Sequence, residues 1–191
     1  MFIAKVVVYI SIFFWLLPPI RQFKQRYFYY FLVLALADPL ALVCANFLRC
    51  SPHLIHPISG FILVYTIDFS LNNLKNNWIL HTIFFIGFVL GLLNIRDLLY
   101  LVLFLHLIVT LKFIYITLME TYNEKILNAF HYALIFYELS VVINLIVYLS
   151  GSEAKVTIYY MTLSIQTLLA LFFCTFTDKS KYLIIRLKPA N

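Results

Sequence analysis

Long apolar stretches separated by short polar segments make up almost the whole chain. The apolar positions run continuously and do not alternate, which predicts membrane-spanning helices of about 17–25 residues and argues against the strands of a membrane barrel. We therefore predict an all-α, polytopic transmembrane helix bundle that forms a single domain. The predicted helices are 2–20, 27–47, 53–71, 78–94, 97–119, 125–150 and 156–177, followed by a basic tail at 178–191.

The first apolar stretch resembles a signal peptide, because Lys5 precedes an apolar run that reaches Leu17. No small-residue cleavage site precedes Arg21, so we predict that this stretch is retained as a helix. The bundle would have six helices instead of seven if it were cleaved, or if the short fourth helix did not span the membrane.

Composition places the chain among membrane proteins, with 64% hydrophobic and 12% charged residues. Soluble domains have about 45–50% apolar and about 25% charged residues. The net charge of +6 comes from basic residues at helix ends, with no run suited to nucleic acid. Because most of them fall in the first, third and fifth loops and the tail, we predict an outside N-terminus and a cytoplasmic C-terminus in the cell (inner) membrane, with anionic lipid at the cytoplasmic face.

Four polar residues are predicted near the middle of the bilayer, at a rise of about 1.5 Å per residue. They are Asp38, His106, Glu138 and Gln166. Ionisable groups in hydrocarbon are costly and tend to mark ion or ligand sites. We therefore take these four residues as the candidate ligand- or ion-binding residues.

A second polar layer is predicted nearer the cytoplasm, at Asp68, His81, Lys112 and His131. Each of these has a simpler explanation. Lys112 would extend its amine to the headgroups, and the two histidines would sit at the interface. Asp68 would be solvated or paired with Lys75.

Glu138 needs a partner from another helix, because its neighbours in sequence carry no charge. His106 lies at matching depth on the preceding helix, with Asp38 as a competitor for the same histidine. We predict that Glu138 and His106 touch, directly or through one water. A structural hydrogen bond is the alternative to a functional site.

Two sets of small residues predict close helix packing. Ala41 and Ala45 share a helical face with Asp38, which would direct that face into the bundle. Gly87 and Gly91 form a GxxxG motif on the fourth helix.

Several chemistries lack the residues they need. A retinal protein resembling the microbial rhodopsins would require a lysine in the seventh helix, and Val156 to Thr177 has none. A zinc site built from His81, His106, His131 and Glu138 lacks the i, i+4 spacing of helix-borne zinc motifs. We therefore predict no cofactor and no metal.

Pro19, Arg21 and Lys24 precede an aromatic-rich second helix, and the run Asn76-Asn77-Trp78-Ile79-Leu80-His81 begins another. This pattern, in the first half of the chain, resembles small uncharacterised multi-pass membrane proteins of bacteria. The resemblance implies a bacterial inner membrane and no particular activity.

Two functions of different classes fit these features. The first is a membrane interaction protein, such as a sensor, a regulator or a subunit, that works through helix packing with a protein partner or a second copy. The second is a small transporter or channel with a proton- or ion-coupling site in the middle of the membrane. An intramembrane enzyme is the third alternative, and we expect no enzymatic activity.

Overall fold

A computed structural model of the protein describes residues 2–49, 51–67, 77–151 and 155–187. The predicted all-α bundle is confirmed, since 83% of the structure is helical. The helices are α1 (Phe2–Trp15), α2 (Pro18–Arg21, a single turn), α3 (Phe28–Val43), α4 (Ile55–Thr66), α5 (Trp78–Leu93), α6 (Ile95–Glu124), α7 (Ala129–Ser150) and α8 (Lys155–Thr175). Two short strands are β1 (Ile126–Asn128) and β2 (Ile184–Arg186). A π-helical turn at Cys44–Leu48 extends α3, and a 3-10 turn at Pro52–Leu54 precedes α4.

Four helical segments among the described residues are long and apolar enough to cross a bilayer. They are Phe28–Leu48, Arg96–Glu124, Ala129–Ser150 and Val156–Thr175. Shorter apolar helical segments occupy Tyr9–Arg21, Ile55–Thr66 and Trp78–Leu93. The seven predicted helices are therefore present, and four of them meet the length of a full span.

Several predicted helix bounds differ from the observed ones, and the predicted end of the third helix at residue 71 lies outside the described residues. The first predicted helix breaks, with α1 ending at Trp15, because Pro18 and Pro19 lack the backbone donors that a continuing helix needs. The fifth predicted helix extends past Met119 to Glu124, where Lys125 adopts a left-handed conformation with φ of 54° and ends it.

The two strands explain why the sixth predicted helix begins late. Ile126–Asn128 pairs antiparallel with Ile184–Arg186, so α7 begins only at Ala129. The Asn128 side chain then accepts a hydrogen bond from the Phe130 backbone nitrogen at 3.1 Å, an N-cap that fixes the start of α7. The tail is thereby tied to the connection between α6 and α7, which periodicity alone did not indicate.

Six helices form a closed ring around the bundle axis. In order, α1 contacts α3, α3 contacts α4, α4 contacts α6, α6 contacts α7, α7 contacts α8, and α8 returns to α1. Helix α5 lies outside the ring, packed mainly on α6, and most of its residues are exposed. The ring therefore encloses the interior in which a site can form.

The glycines of α5 allow its close approach to α6. A Cβ atom at Gly91 would lie 2.5 Å from Leu98 Cδ2, and one at Gly87 would lie 3.2 Å from Leu101 Cδ1. A side chain at Gly91 would therefore force the helices apart, as expected for a GxxxG contact.

The alanine face predicted on α3 is only partly directed inward. Ala41 is buried, whereas Ala45 is exposed. Ala45 lies in the π-helical turn Cys44–Leu48, whose wider winding changes the angle between successive side chains and turns the face away from the bundle.

One end of the ring is filled by aromatic side chains, and we call it the aromatic end. Its cluster consists of Tyr27, Tyr30, Phe31, Phe113, Phe130 and Phe173, each with no exposed surface. Ring centroids lie 4.9 Å apart for Phe31 and Phe173 and 5.1 Å apart for Tyr30 and Phe113. The residues come from the start of α3 and α7, the second half of α6 and the end of α8, so this cluster fills the interior at that end.

Candidate functional site

A cavity of ≈ 580 Å³ occupies the interior of the ring. Its outer part is lined by His53, Leu99, Tyr148 and Val156, which lie where α4, α6 and α8 begin and α7 ends. We call this the cavity end, and it is opposite the aromatic end. Polar lining residues include Asp38, His53, His56, Ser59, Asn144, Gln166 and, at the inner end, His106.

Glu138 is held beside the cavity by two donors from other helices. The side chain has no exposed surface. Its Oε2 lies 2.7 Å from His106 Nδ1 on α6, and its Oε1 accepts a hydrogen bond from the hydroxyl of Tyr30 on α3. The predicted contact between Glu138 and His106 is therefore confirmed as a direct contact, which links three helices of the ring.

The pairing determines how His106 faces the cavity. A carboxylate oxygen accepts hydrogen bonds, so the contact is made by the His106 tautomer that carries its proton on Nδ1. His106 lines the cavity, and its Nε2 makes no hydrogen bond to any described residue. In the tautomer that is protonated on Nδ1, Nε2 is a hydrogen-bond acceptor. His106 can therefore accept a hydrogen bond from a molecule in the cavity.

The sequence pattern did not indicate Tyr30 as a partner of Glu138. A run of tyrosines after a basic loop, as at Tyr27, Tyr29 and Tyr30, predicts an aromatic belt at the lipid headgroups. Tyr27 and Tyr30 have no exposed surface, however, and of the three only Tyr29 is exposed, at 61%. Tyr27 and Tyr30 are three residues apart, so they lie on one face of α3. This spacing was the available signal that the two rings point inward together.

Asp38 lines the cavity but does not compete for His106. It makes no hydrogen bond or ion pair with any described residue, and the histidine that interacts with its charge is His56 on α4. Gln166 also lines the cavity, where its amide donates to Ser140 Oγ at 3.1 Å. Of the four residues predicted at mid-depth, three line the cavity and Glu138 lies behind His106.

The sequence did not point to His53 and His56 as site residues. Both precede Pro57, in what the apolar pattern marks as the outer start of a helix. The structure places both on the cavity lining, because α4 is the ring helix between α3 and α6 and its first turn, with the 3-10 turn before it, lies at the cavity end. No local signal in the sequence distinguished them from interfacial histidines.

The second predicted layer does not form one site. His81 Nε2 lies 2.7 Å from the hydroxyl of Tyr65, and Lys112 Nζ donates to the Val64 carbonyl at 2.7 Å. Lys112 therefore contacts the backbone of α4. The simpler explanation from the sequence had instead placed its amine among the lipid headgroups. Asp68 lies outside the described residues.

His131, which was also assigned to the interface, is buried at the aromatic end. Its Nε2 lies 3.0 Å from the Tyr27 hydroxyl. Its Nδ1 lies 3.0 Å from Glu120 Oε2, although that contact is not aligned as a hydrogen bond. Glu120 Oε1 in turn pairs with Arg26 Nη1 at 2.6 Å. These four groups form a separate polar network that joins α3, α6 and α7.

Among the described residues, no group of three or more histidine, cysteine, aspartate or glutamate side chains is placed to hold a metal ion. His81, His106 and His131 have different partners, Tyr65, Glu138 and Tyr27 respectively, so the zinc arrangement weighed from the sequence is not assembled.

The site thus combines a cavity with several polar groups on its wall, the Asp38 carboxylate, which is bonded to no described residue, and a histidine supported by a buried glutamate. Comparisons with models of protein families, with curated proteins and with solved structures find no match for this chain.

Proposed function

We propose that the protein binds a small polar molecule inside its helix bundle and acts as a membrane sensor, or as the ligand-binding subunit of a membrane complex. The observation that carries this proposal is the polar cavity of ≈ 580 Å³. Small-molecule sites in proteins occupy about 300–1,000 Å³ and place a few polar groups on a largely apolar wall. Asp38 and His106 Nε2 are such groups, since neither is bonded to a described residue.

The closed aromatic end favours ligand binding over transport of a molecule through the bundle. Tyr27, Phe113 and Phe130 have no exposed surface, and their rings are packed at centroid distances of 5.7 Å and 6.0 Å. A channel would need a continuous path through this region. A ligand bound at the cavity end would instead contact α3, α4, α6, α7 and α8, all of which line the cavity. It could therefore change how these helices pack against one another.

The test uses Trp15 as a reporter, because it lines the cavity with its ring centroid 4.6 Å from that of Tyr137. The chain has 2 tryptophans, and Trp78 is exposed at 66%, so Trp78→Phe leaves Trp15 as the only tryptophan, which is excited selectively at wavelengths that tyrosine does not absorb. Titrating this variant with panels of small amines, carboxylates, sugars and alcohols should give a saturable change in Trp15 fluorescence with at least one class.

Ala37→Phe is the matched loss-of-binding variant, because Ala37 lines the cavity and a benzyl group there would occupy it. Ala45→Phe is its control, since Ala45 is exposed on the extension of the same helix. The fluorescence response should disappear with Ala37→Phe and persist with Ala45→Phe. A response that survives Ala37→Phe, or no response to any class, would contradict the proposal.

The proposed location is the cell (inner) membrane, with the cavity end outside and the aromatic end in the cytoplasm. Basic residues support this orientation, because Arg21, Lys24, Lys125, Lys181 and Arg186 are exposed at or near the aromatic end, where they would meet anionic lipid. A reporter fused after Asn191 should report cytoplasm, and one fused before Met1 should report the exterior. The reverse result at both ends would overturn the orientation.

The sensor proposal includes a protein partner or a second copy of the chain, to which a conformational change caused by ligand binding is transmitted. Helix α5 supports this, because it lies outside the ring and exposes apolar side chains such as Phe85 and Leu93, at 69% and 85%. Purification in mild detergent should return a stoichiometric partner or a defined oligomer. A partner-free monomer would count against it.

A small proton-coupled transporter is the second candidate, favoured by the buried pair of Glu138 and His106 at the inner end of the cavity. Buried ionisable pairs of this kind serve as proton relays in transporters. Substrate flux into proteoliposomes that depends on a proton gradient, and that Glu138→Gln abolishes, would replace the sensor proposal. An intramembrane enzyme ranks third, since none of the described residues is a nucleophile hydrogen-bonded to His106.

A further inference from the structure

We infer that the ligand of the cavity is a small organic cation, bound by the carboxylate of Asp38 and by the tyrosine rings beside it. This inference rests on the proposed function and adds the chemical class of the ligand.

The first support is the state of Asp38 itself. Its side chain is exposed within the cavity, and it forms no hydrogen bond or ion pair with a described residue. A carboxylate inside a membrane protein is normally paired, because an isolated charge there is costly. An unpaired carboxylate facing a cavity is therefore suited to a cationic ligand.

The second support is the charge of the remaining lining. Within the part of the chain that the structure describes, no lysine or arginine lines the cavity. The other titratable groups on the described lining are histidines and tyrosines, among them His56 on α4, Tyr137 on α7 and Tyr159 on α8. Imidazole is largely uncharged above about pH 6.5. The fixed charge that a ligand meets near Asp38 is therefore negative.

The third support is the aromatic surface around the carboxylate. The rings of Tyr137 and Trp15 are tilted against each other with centroids 4.6 Å apart, and the rings of Tyr159 and Tyr160 meet edge to face at 5.4 Å. All four residues line the cavity. Aromatic faces attract cations through the negative charge of their π-systems, and quaternary or primary amines bind in such surroundings.

Two other ligand classes fit less well. A metal ion would need several close ligands, and the described residues hold no cluster of three or more that could supply them. An anion would be repelled by Asp38 unless several histidines were protonated together. An amine satisfies Asp38 directly and leaves His106 Nε2 free to accept a hydrogen bond from another part of the same molecule.

The experiment compares cations with neutral molecules of the same shape. The Trp78→Phe protein in a neutral maltoside detergent is titrated with choline against 3,3-dimethylbutan-1-ol, and with phenethylamine against 2-phenylethanol. Trp15 fluorescence should saturate with each cation at a concentration about tenfold or more below that of its neutral counterpart. Benzoate serves as the anionic probe, and we expect it to bind no more tightly than the neutral molecules.

The matched variants separate charge from shape. Asp38→Asn should weaken binding of both cations about tenfold or more, and should leave the affinity for the neutral molecules unchanged. Asp38→Glu should retain the preference for cations. The control is Asp97→Asn, because Asp97 is exposed in the first turn of α6 and does not line the cavity. Thermal melting of each variant verifies that the fold is intact.

The outcomes distinguish the two proposals. Cations that bind no more tightly than their neutral counterparts, or a preference that persists in Asp38→Asn, would overturn the inference. If benzoate or an alcohol binds best and Ala37→Phe abolishes that binding, the cation inference falls while the binding function stands. If no probe class produces a response that depends on Ala37, both fall.

Discussion

Replacing Glu138 with alanine should cause the largest loss of stability of any single substitution in the interior. Glu138 is fully buried and accepts hydrogen bonds from the Tyr30 hydroxyl and His106 Nδ1. Alanine leaves both donors without a partner in a low-dielectric interior. Each buried donor left without a partner costs about 1–3 kcal/mol. We expect a lower melting temperature and reduced recovery of folded protein, measured by thermal denaturation followed by size-exclusion chromatography.

Glu138→Gln is the informative companion to this substitution. The glutamine oxygen accepts from Tyr30, and its amide group donates to His106 Nδ1 once the imidazole changes tautomer. The loss should be near the net value of one hydrogen bond, about 1 kcal/mol. Glu124→Ala is the control, because Glu124 is exposed at the end of α6. Equal melting temperatures for Glu138→Ala and the native protein would disprove the structural role of the pair.

The glutamine variant also bears on function. In the changed tautomer, His106 Nε2 carries the proton. It is then a hydrogen-bond donor to a molecule in the cavity, whereas in the native protein it is an acceptor. Ligand binding that depends on His106 as an acceptor should therefore weaken in Glu138→Gln even when the fold is retained. This separates the structural and chemical roles of the same carboxylate.

Phe130→Ala should produce the second-largest loss. Phe130 has no exposed surface, and its ring lies 5.3 Å from Phe173 and 6.0 Å from Tyr27 between centroids. Its removal opens a cavity in the aromatic cluster. Phenylalanine-to-alanine changes in well-packed cores cost about 3–5 kcal/mol. We expect the lower part of this range, because helices that separate within lipid lose packing contacts but little hydrophobic burial.

Phe136→Ala is the control for this prediction, since it makes the same chemical change on the same helix. Phe136 is exposed at 53%, on the outer surface of the ring. Its replacement should change the melting temperature little. If the two variants lose the same stability, the aromatic cluster is not the packed region that closes this end of the bundle.

The membrane class and the helical fold were determined by the sequence, because apolar runs of this length have one stable arrangement in a bilayer. Depth along each helix was also accessible, since rise per residue is nearly constant. Counting residues along the helices placed His106 and Glu138 at the same level on consecutive helices. This was enough to predict their contact. GxxxG spacing likewise indicated the side of α5 that faces α6.

The rotation of each helix was decided by the tertiary structure. A helix that is apolar on all sides carries no stripe to show which side packs inward. Tyr30 and His131 could therefore be assigned to an interface, although both are buried. The same limitation hid His56, which became a lining residue only when α4 took its place between α3 and α6.

Contacts between distant segments were likewise decided only in three dimensions. The pairing of Ile126–Asn128 with Ile184–Arg186 joins segments far apart in the chain, and neither has a strong strand pattern of its own. The cavity depends on α5 lying outside a ring closed by α1 and α8, an arrangement fixed by side-chain packing among several helices. Sequence thus predicted the position of each residue along its helix, and packing decided which of them face one another.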